Sequence, residues 1–479
     1  MDGGDEGVVV APMGDESMCS NGGAVDDPRR PPASSGKAAA GGGEQMDLEV
    51  YVALYTGRTR VSRLLFIAER CGNEGMQLEA LRMAHDEIKK GEDSHLYREV
   101  IAKIGGRLGP LYALDQTWVD MVDRRAEARK EKLENELNSY KTNLIKESIR
   151  MGFNDLADFF YAHGQLGDAF KNYVRTRDYC TSSKHISQMC LNVILVSIEL
   201  GQFMHVSNYV SKAEQAPEQA DPITHSKLRC AAGLAYMETK KYKLAARKFL
   251  ETGPELGNNY TDVIAQQDVA TYGGLCALAS FDRTELKVSF MPVIFSPTLE
   301  FHSMYTNYYS FLCQNKVIDN INFRNFLELV PEVRELINDF YASRYASCLE
   351  YLENLKPNLL LDIHLHDHVE TLYIDIRHKA IIQYTHPFIS VDLHTMAGAF
   401  KTSVAGLEKE LEALITDDKI QARIDSHNKI LYARHADQRN ATFQRVLQTG
   451  VEFERDVRSM LMRANLIKQE SILRAARKL

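Results

Sequence analysis

Three short segments of this chain repeat one pattern, and the interval between them dictates the architecture. Ala162-His163-Gly164-Gln165-Leu166-Gly167-Asp168-Ala169 is followed by Tyr173, and Leu200-Gly201-Gln202-Phe203 by Val206, Val210 and Ala213. The stretch from Tyr236 to Tyr242 is followed by Ala245 and Phe249. Each is a polar turn with a small or short-branched residue one turn into the apolar stripe beyond it. The recurring positions Ala169, Val206 and Ala245 lie 37 and 39 residues apart. That interval accommodates two helices and a turn, and a small residue at the recurring position lets paired helices approach closely. One such unit cannot bury its apolar face alone. Residues 150 to 285 are therefore expected to stack as an α-solenoid.

In the first unit Phe153, Leu156, Ala157, Phe160, Ala169 and Tyr173 follow the tetratricopeptide spacing, with Thr181 where a proline usually closes the repeat. The other two units are irregular. Upstream, Arg124 to Leu144 places Leu133, Leu137, Tyr140 and Leu144 on one stripe, with the pairs Lys130/Glu134 and Lys132/Glu136 elsewhere. This predicts a long, largely solvated helix linking an N-terminal helical block to the repeats.

The last third changes character. Leu393, Met396, Ala397 and Phe400 fall at helical spacing after Ser390, read as the N-cap. A break at Lys401 to Ser403 precedes a second amphipathic helix with Leu407, Leu411, Leu414 and Ile415 on its stripe. Ile420-Gln421-Ala422-Arg423-Ile424 alternates as a strand, Asp425 to Lys429 is a polar turn, and Ile430-Leu431-Tyr432 returns. Helix, turn, helix, hairpin is the order of a winged helix. From Asp437 to Leu479, Phe443, Leu447, Val451, Val457, Leu461, Ala464 and Ile467 approximate a heptad seam.

The fold expected is mainly α. Residues 1–45 are read as a disordered tail, 46–285 as the helical-repeat domain, 286–436 as a domain ending in the winged helix, and 437–479 as a C-terminal helix. The tail is Gly, Ala, Ser, Pro and acid, too poor in apolar residues to offset its ordering entropy. It reads as a solvated segment or one that docks on a partner. Residues 1 to 46 hold eight acids against three bases, a net of -5 out of -8 for the chain, so the folded part is near neutral.

That balance argues against a nucleic-acid binder, which usually shows a basic stripe. Lys401 to Lys419, the recognition-helix equivalent, carries Glu408, Glu410, Glu412, Asp417 and Asp418 against three lysines and would repel phosphates. The wing strand is better suited to pairing its free edge with a neighbouring subunit. Candidate interface residues are therefore Ile420, Gln421, Ala422 and Ile424 on the strand, and Leu447, Val457 and Leu461 on the seam. The C-terminal stretch is basic, which fits an ordinary solvated face and an acidic partner equally.

No apolar run is long enough to span a membrane, and the acidic, Gly-rich start lacks the features of a secretory signal, so the chain is expected inside the cell. Eight scattered cysteines offer no CxxC and are expected to be reduced and mostly buried. No nucleotide-binding or hydrolase motif occurs, no cofactor is expected, and Gly273-Gly274 reads as close helix packing.

The nearest approach to a catalytic motif is Asp362-Ile363-His364-Leu365-His366-Asp367-His368, an HxH of the kind a zinc isopeptidase uses. In that pattern a Ser and an Asp follow at eight and eleven residues past the second His. Here those positions are Ile374 and Arg377. His364, His368, Leu372 and Ile376 recur every four residues, which reads as packing on a helix and leaves the zinc ligand set incomplete.

Helical repeats running into a winged helix and closed by a long helix resemble the PCI family, scaffold subunits of the proteasome lid, the signalosome and a translation initiation factor complex. The residues that carry the resemblance are Tyr384 to Leu393, Met396 to Phe400, Leu407 to Ile415 and Ile420 to Asp425. A more specific match, Tyr55 to Cys71, together with Arg124 to Cys180, resembles the subunit-one branch of the signalosome, plant members above all, over its lid paralogue. The resemblance implies a non-catalytic scaffold of nucleus and cytoplasm. It also implies an eight-subunit complex that removes Nedd8 from cullins of cullin-RING ligases, cleavage being done by a separate metalloprotease subunit. Winged helices would align in a horseshoe and C-terminal helices gather in a bundle.

Overall fold

The structure, a computed structural model, describes residues 46–215, 221–286, 317, 320–434 and 438–476. The region read as a disordered tail, residues 1–45, lies outside the described residues.

The described chain opens with α1 (Leu48–Val52), α2 (Gly57–Arg70), α3 (Glu74–Ile88), α4 (Ser94–Ile104) and α5 (Gln116–Thr142). Asp47, Asn73, Asp93 and Asp115 start α1, α3, α4 and α5 by accepting first-turn backbone N–H groups on their side chains. Leu64, Ile67, Leu81, Tyr97, Val100 and Val119 close a core of their own. Beyond Val122 only Leu137 of α5 is fully buried, so this helix is solvated for most of its length. Leu144 departs from the expected stripe. It follows the helix end in a left-handed conformation (φ 55) and is exposed.

Three helix pairs follow: α6 (Lys146–Ala162) with α7 (Leu166–Arg175), α8 (Ser183–Glu199) with α9 (Phe203–Glu214), and α10 (Pro222–Glu238) with α11 (Tyr242–Leu250). Ala169, Val206 and Ala245 each sit in the second helix of a pair, wholly buried, which is the geometry their spacing predicts. The turns show why the third unit looks irregular. Gly164 and Gly201 take left-handed φ values of 75 and 68, whereas the third pair puts Lys240 there at φ 58. A non-glycine residue adopts that conformation at a cost of about 1–2 kcal/mol, so the glycine marker is missing from the sequence while the turn survives.

The solenoid runs on through α12 (Gln266–Ser280) and the short α13 (Arg283–Leu286). A Cβ on Gly273 would lie 2.9 Å from Phe323, and one on Gly274 would lie 2.6 Å from Val333. These two glycines let α12 meet α14 (Ile321–Leu327) and α15 (Pro331–Tyr341) at close range. α16 (Tyr345–Leu359) and α17 (Val369–Thr385) then lead into the winged helix.

The winged helix comprises β1 (Ser390–Asp392), α18 (Leu393–Ala399), α19 (Val404–Thr416), β2 (Ala422–Asp425) and β3 (Ile430–Ala433). Its sheet is antiparallel in the order β1-β3-β2, leaving β2 at one edge. Ser390 is not the N-cap that the sequence suggests. It is paired in β1 opposite Tyr432, and Asp392 caps α18 by accepting the Thr395 N–H at 2.9 Å. Leu393, Met396, Phe400, Leu407, Leu411 and Leu414 are buried as their spacing requires. Phe400 stacks on Tyr345 at 5.7 Å, fixing the domain to α16. α20 (Gln438–Ala476) is one continuous helix.

Of the cysteines, Cys71, Cys190, Cys230, Cys276 and Cys348 are free and buried, Cys180 is free and half-buried, and Cys19 and Cys313 lie outside the described residues. Among the described residues no helix is long and apolar enough to cross a membrane.

Candidate functional site

The strand residues singled out as an interface occupy two different environments. Ile420 and Ala422 are buried, Ile424 is half-buried and Gln421 is exposed. The Gln421 carbonyl accepts the Arg434 N–H at 2.9 Å. In extended backbone a residue's N–H and C=O point the same way, so the Gln421 backbone faces β3 and not the open edge. The register Ala422↔Ala433 and Ile424↔Leu431 leaves the N–H groups of Ala422 and Ile424 pointing outward. The free edge exists, and of the four strand residues singled out it is Ala422 and Ile424 that offer its outward donors, while the Gln421 backbone does not.

The helix residues are solvated. Leu447 is 49% and Leu461 59% exposed, and Val457 is half-buried. At about 100° per residue these three share one side of α20 with Phe443. Val446, Phe453, Met460 and Ile467 form a second stripe roughly a third of a turn away, and all four are exposed as well. Val451, Met462 and Leu466, exposed too, extend the apolar arc on the other side, so apolar side chains cover more than half the circumference of α20. A helix of that kind is built to be surrounded.

Two of the three acids of α19 are engaged by neighbouring elements. Glu408 pairs with Lys429 at 2.9 Å and Glu410 with Arg377 at 3.0 Å, so the recognition-helix face is neutral to acidic by construction.

The HxH segment is not helical. Residues 360–368 form turns ahead of α17, which breaks the four-residue phase assigned to His364 and His368. Each residue has a structural occupation. His366 Nδ1 lies 2.7 Å from the Leu360 carbonyl, and His368 bridges the Tyr242 hydroxyl (3.2 Å) and Glu238 (3.4 Å). His364 lies edge-on to Tyr272. Among the described residues no group of three or more His, Cys, Asp or Glu is arranged to hold a metal ion.

Asp362 belongs to a buried hub that spacing alone does not reveal. Arg63, 1% exposed, reaches Asp362 at 2.6 Å and Asp268 at 3.2 Å, and its guanidinium lies 4.0 Å from the Tyr55 ring centroid. Arg63 also donates to the Tyr51 hydroxyl at 2.6 Å. Tyr55 donates to both Asp268 oxygens at 2.8 Å, and Tyr272 donates to Asp362 at 2.7 Å. The hub ties α1 and α2 to α12 and to the turns before α17. Burial, with the Asp362 charge adding and Arg63 opposing, pushes the Asp268 carboxyl up to about 6. Burial acts against ionised Asp362 too, but Arg63 and the Tyr272 hydroxyl outweigh it and hold that carboxyl below its usual range. Burial and the Arg63 cation push His364 down to about 4, so its imidazole is neutral.

With solenoid, winged helix and solvated C-terminal helix in place, the family models fall on the same parts. The model described as 26S proteasome subunit RPN7 matches residues 115–289, and the PCI domain matches residues 350–435. The C-terminal helix of COP9 signalosome complex subunit 1 matches residues 438–464. COP9 signalosome complex subunit 1 of Arabidopsis thaliana is 69% identical over 437 residues, covering 91% of this chain and 93% of that protein. The chain belongs to the COP9 signalosome subunit 1 family. Subunit 1b of Drosophila melanogaster is 40% identical over 88% of this chain and 85% of its own length. The 26S proteasome non-ATPase regulatory subunit 6 homolog of Arabidopsis thaliana is 22% identical over 79% of this chain and 95% of its own length, so the lid proteins are the more distant branch.

Proposed function

We propose that this member of the signalosome subunit 1 family is a non-catalytic scaffold. In this reading it joins other signalosome subunits through the β2 edge and α20, in a complex that removes Nedd8 from cullin-RING ligases in nucleus and cytoplasm. The observation that carries the reading is the apolar surface of α20, exposed on more than half its circumference in a segment matched by the family's C-terminal helix model. An exposed surface of that extent marks an interaction site. The engagement of Asp362 by Arg63 and of His366 by a backbone carbonyl supports assigning cleavage to another subunit.

Purifying the tagged chain from its host and identifying the copurifying proteins tests the assembly. Stoichiometric PCI subunits with a metalloprotease are expected, and recovery with proteasome lid subunits instead would overturn the reading. The isolated chain, supplied with zinc, is expected to leave Nedd8-modified cullin intact. Turnover that disappears in His364→Ala would refute the scaffold role.

A further inference from the structure

The winged helix contains a cavity of about 260 Å3 that opens beneath the start of β2. Apolar side chains in its wall are Ile382 of α17, Val391 of β1, Ile420, and Leu431 of β3, with Thr385 and Gln421 as polar lining between them. Its rim carries two cations, Lys419 and Arg434. His386, Lys419 and Arg434 line the mouth, all three exposed, and no carboxylate is among the described residues lining it. Arg434 and His386 have no ion-pair partner among the described residues, and the one pair at the rim, Lys419–Asp417 at 3.3 Å, is about half exposed on both sides and therefore weak. Phe388, 47% exposed, and Ile389, 71% exposed, stand beside the opening.

We propose that this socket receives an apolar side chain of another polypeptide, flanked there by aspartate or glutamate. The proposal rests on the reading of the chain as an assembly subunit and names the chemistry of one contact. The volume suits one large aliphatic or aromatic side chain and falls short of the roughly 300–1,000 Å3 of ordinary small-molecule sites. Anchors that fill such pockets dominate interface energies. A cationic rim with no acid in it attracts an acidic flank and rejects a basic one. Nucleic acid fits less well, because a duplex presents no apolar side chain to fill the cavity.

The test uses the full chain and fluorescence anisotropy with a fluorescein-labelled peptide, Asp-Glu-Leu-Phe-Glu-Asp. Saturable binding is expected. It should weaken at least tenfold in K419E/R434E, whose sites are exposed and whose fold is checked by circular dichroism. It should weaken as much when Ser-Ser replaces Leu-Phe in the peptide, and it should be absent for Lys-Arg-Leu-Phe-Arg-Lys. Equal binding of the Ser-Ser peptide, indifference to the charge reversal, or displacement of the peptide by a 20-base-pair DNA duplex overturns the socket. If signalosome subunits copurify while the peptide fails to bind, the socket falls and the scaffold reading stands. If the peptide binds and no subunit copurifies, the socket stands and the assembly reading falls.

Discussion

Replacing Arg63 by methionine keeps most of the side-chain length and removes the one cation that, among the described residues, pairs with Asp268 and Asp362. Two carboxylates would then be left in a buried site with neutral donors alone, the Tyr51, Tyr55 and Tyr272 hydroxyls and the Ala265, His364 and Leu365 backbone N–H groups. Removing one partner of a buried ion pair typically costs about 3–5 kcal/mol, roughly two to three and a half orders of magnitude in an opening equilibrium. The cost falls where the hub acts, on the docking of α1 and α2 against α12, because the solenoid repeats have a core of their own. Hydrogen exchange is the suited assay, since it reads local opening segment by segment. At pH 8 amides of residues 48–70 should exchange faster by about two orders of magnitude or more, while those of α8 and α10 stay near wild type. The sign with pH is fixed. Uncompensated carboxylates have folded-state pKa values above their unfolded ones, so the variant recovers stability as pH falls and they take up protons. The defect should therefore shrink between pH 8 and pH 5.5. Equal protection of residues 48–70 in both proteins at pH 8, or a defect of the same size at both pH values, would refute the reasoning.

Asp268→Asn removes a carboxyl that burial pushes up to about 6 from 3.8. A raised acid pKa contributes stability that grows as pH falls through the folded value, so the stability difference, measured by urea unfolding, should move in favour of wild type between pH 7.5 and pH 5, and a difference that is the same at both pH values would count against it. Replacing Leu447, Val457 and Leu461 together with Asp should leave the melting temperature of the isolated chain nearly unchanged, because two of those side chains are exposed and the third half-buried, yet abolish coelution with other PCI subunits on size exclusion. A shift in melting temperature would show that the seam packs on its own chain. Ile424→Pro deletes an outward edge donor, so it should lower subunit recovery in a pull-down more than Gln421→Pro does, with both variants first shown folded by circular dichroism. Equal recovery would count against edge pairing.

What could be read in advance follows from how local each constraint is. Ala169, Val206 and Ala245 were legible because close approach of adjacent helices admits only small or short-branched residues, and adjacent helices are near in sequence. The Ser390 cap was misread because serine and aspartate both cap helices, and only the sheet decides that Ser390 pairs with Tyr432 while Asp392 starts the helix. His364 and His368 suggested a helix because their spacing matches one turn, yet Asp362 turns the chain there by accepting the N–H groups of His364 and Leu365 at 3.0 Å each. The Arg63 hub had no local signature, its carboxylate partners being 205 and 299 residues away. The faint signal was Arg63 itself, four residues before the buried Ile67 and so at the margin of an apolar stripe, where an arginine must find acceptors.

The 299-residue separation of Arg63 from Asp362 also sets a clock. At about 5–20 residues per second of synthesis, roughly 15–60 s pass between the emergence of the cation and that of its closest counter-charge. During that interval the N-terminal helices can form and pack on one another, but they have no Asp362 to fasten to. A chain terminated anywhere before residue 362 never acquires it. Such a chain carries a loosely held leading segment, open to proteolysis in proportion to how often it detaches. Synthesis past residue 362 is thereby reported at the N-terminal helices, and a product truncated before that point is distinguished from a longer one before it meets any partner.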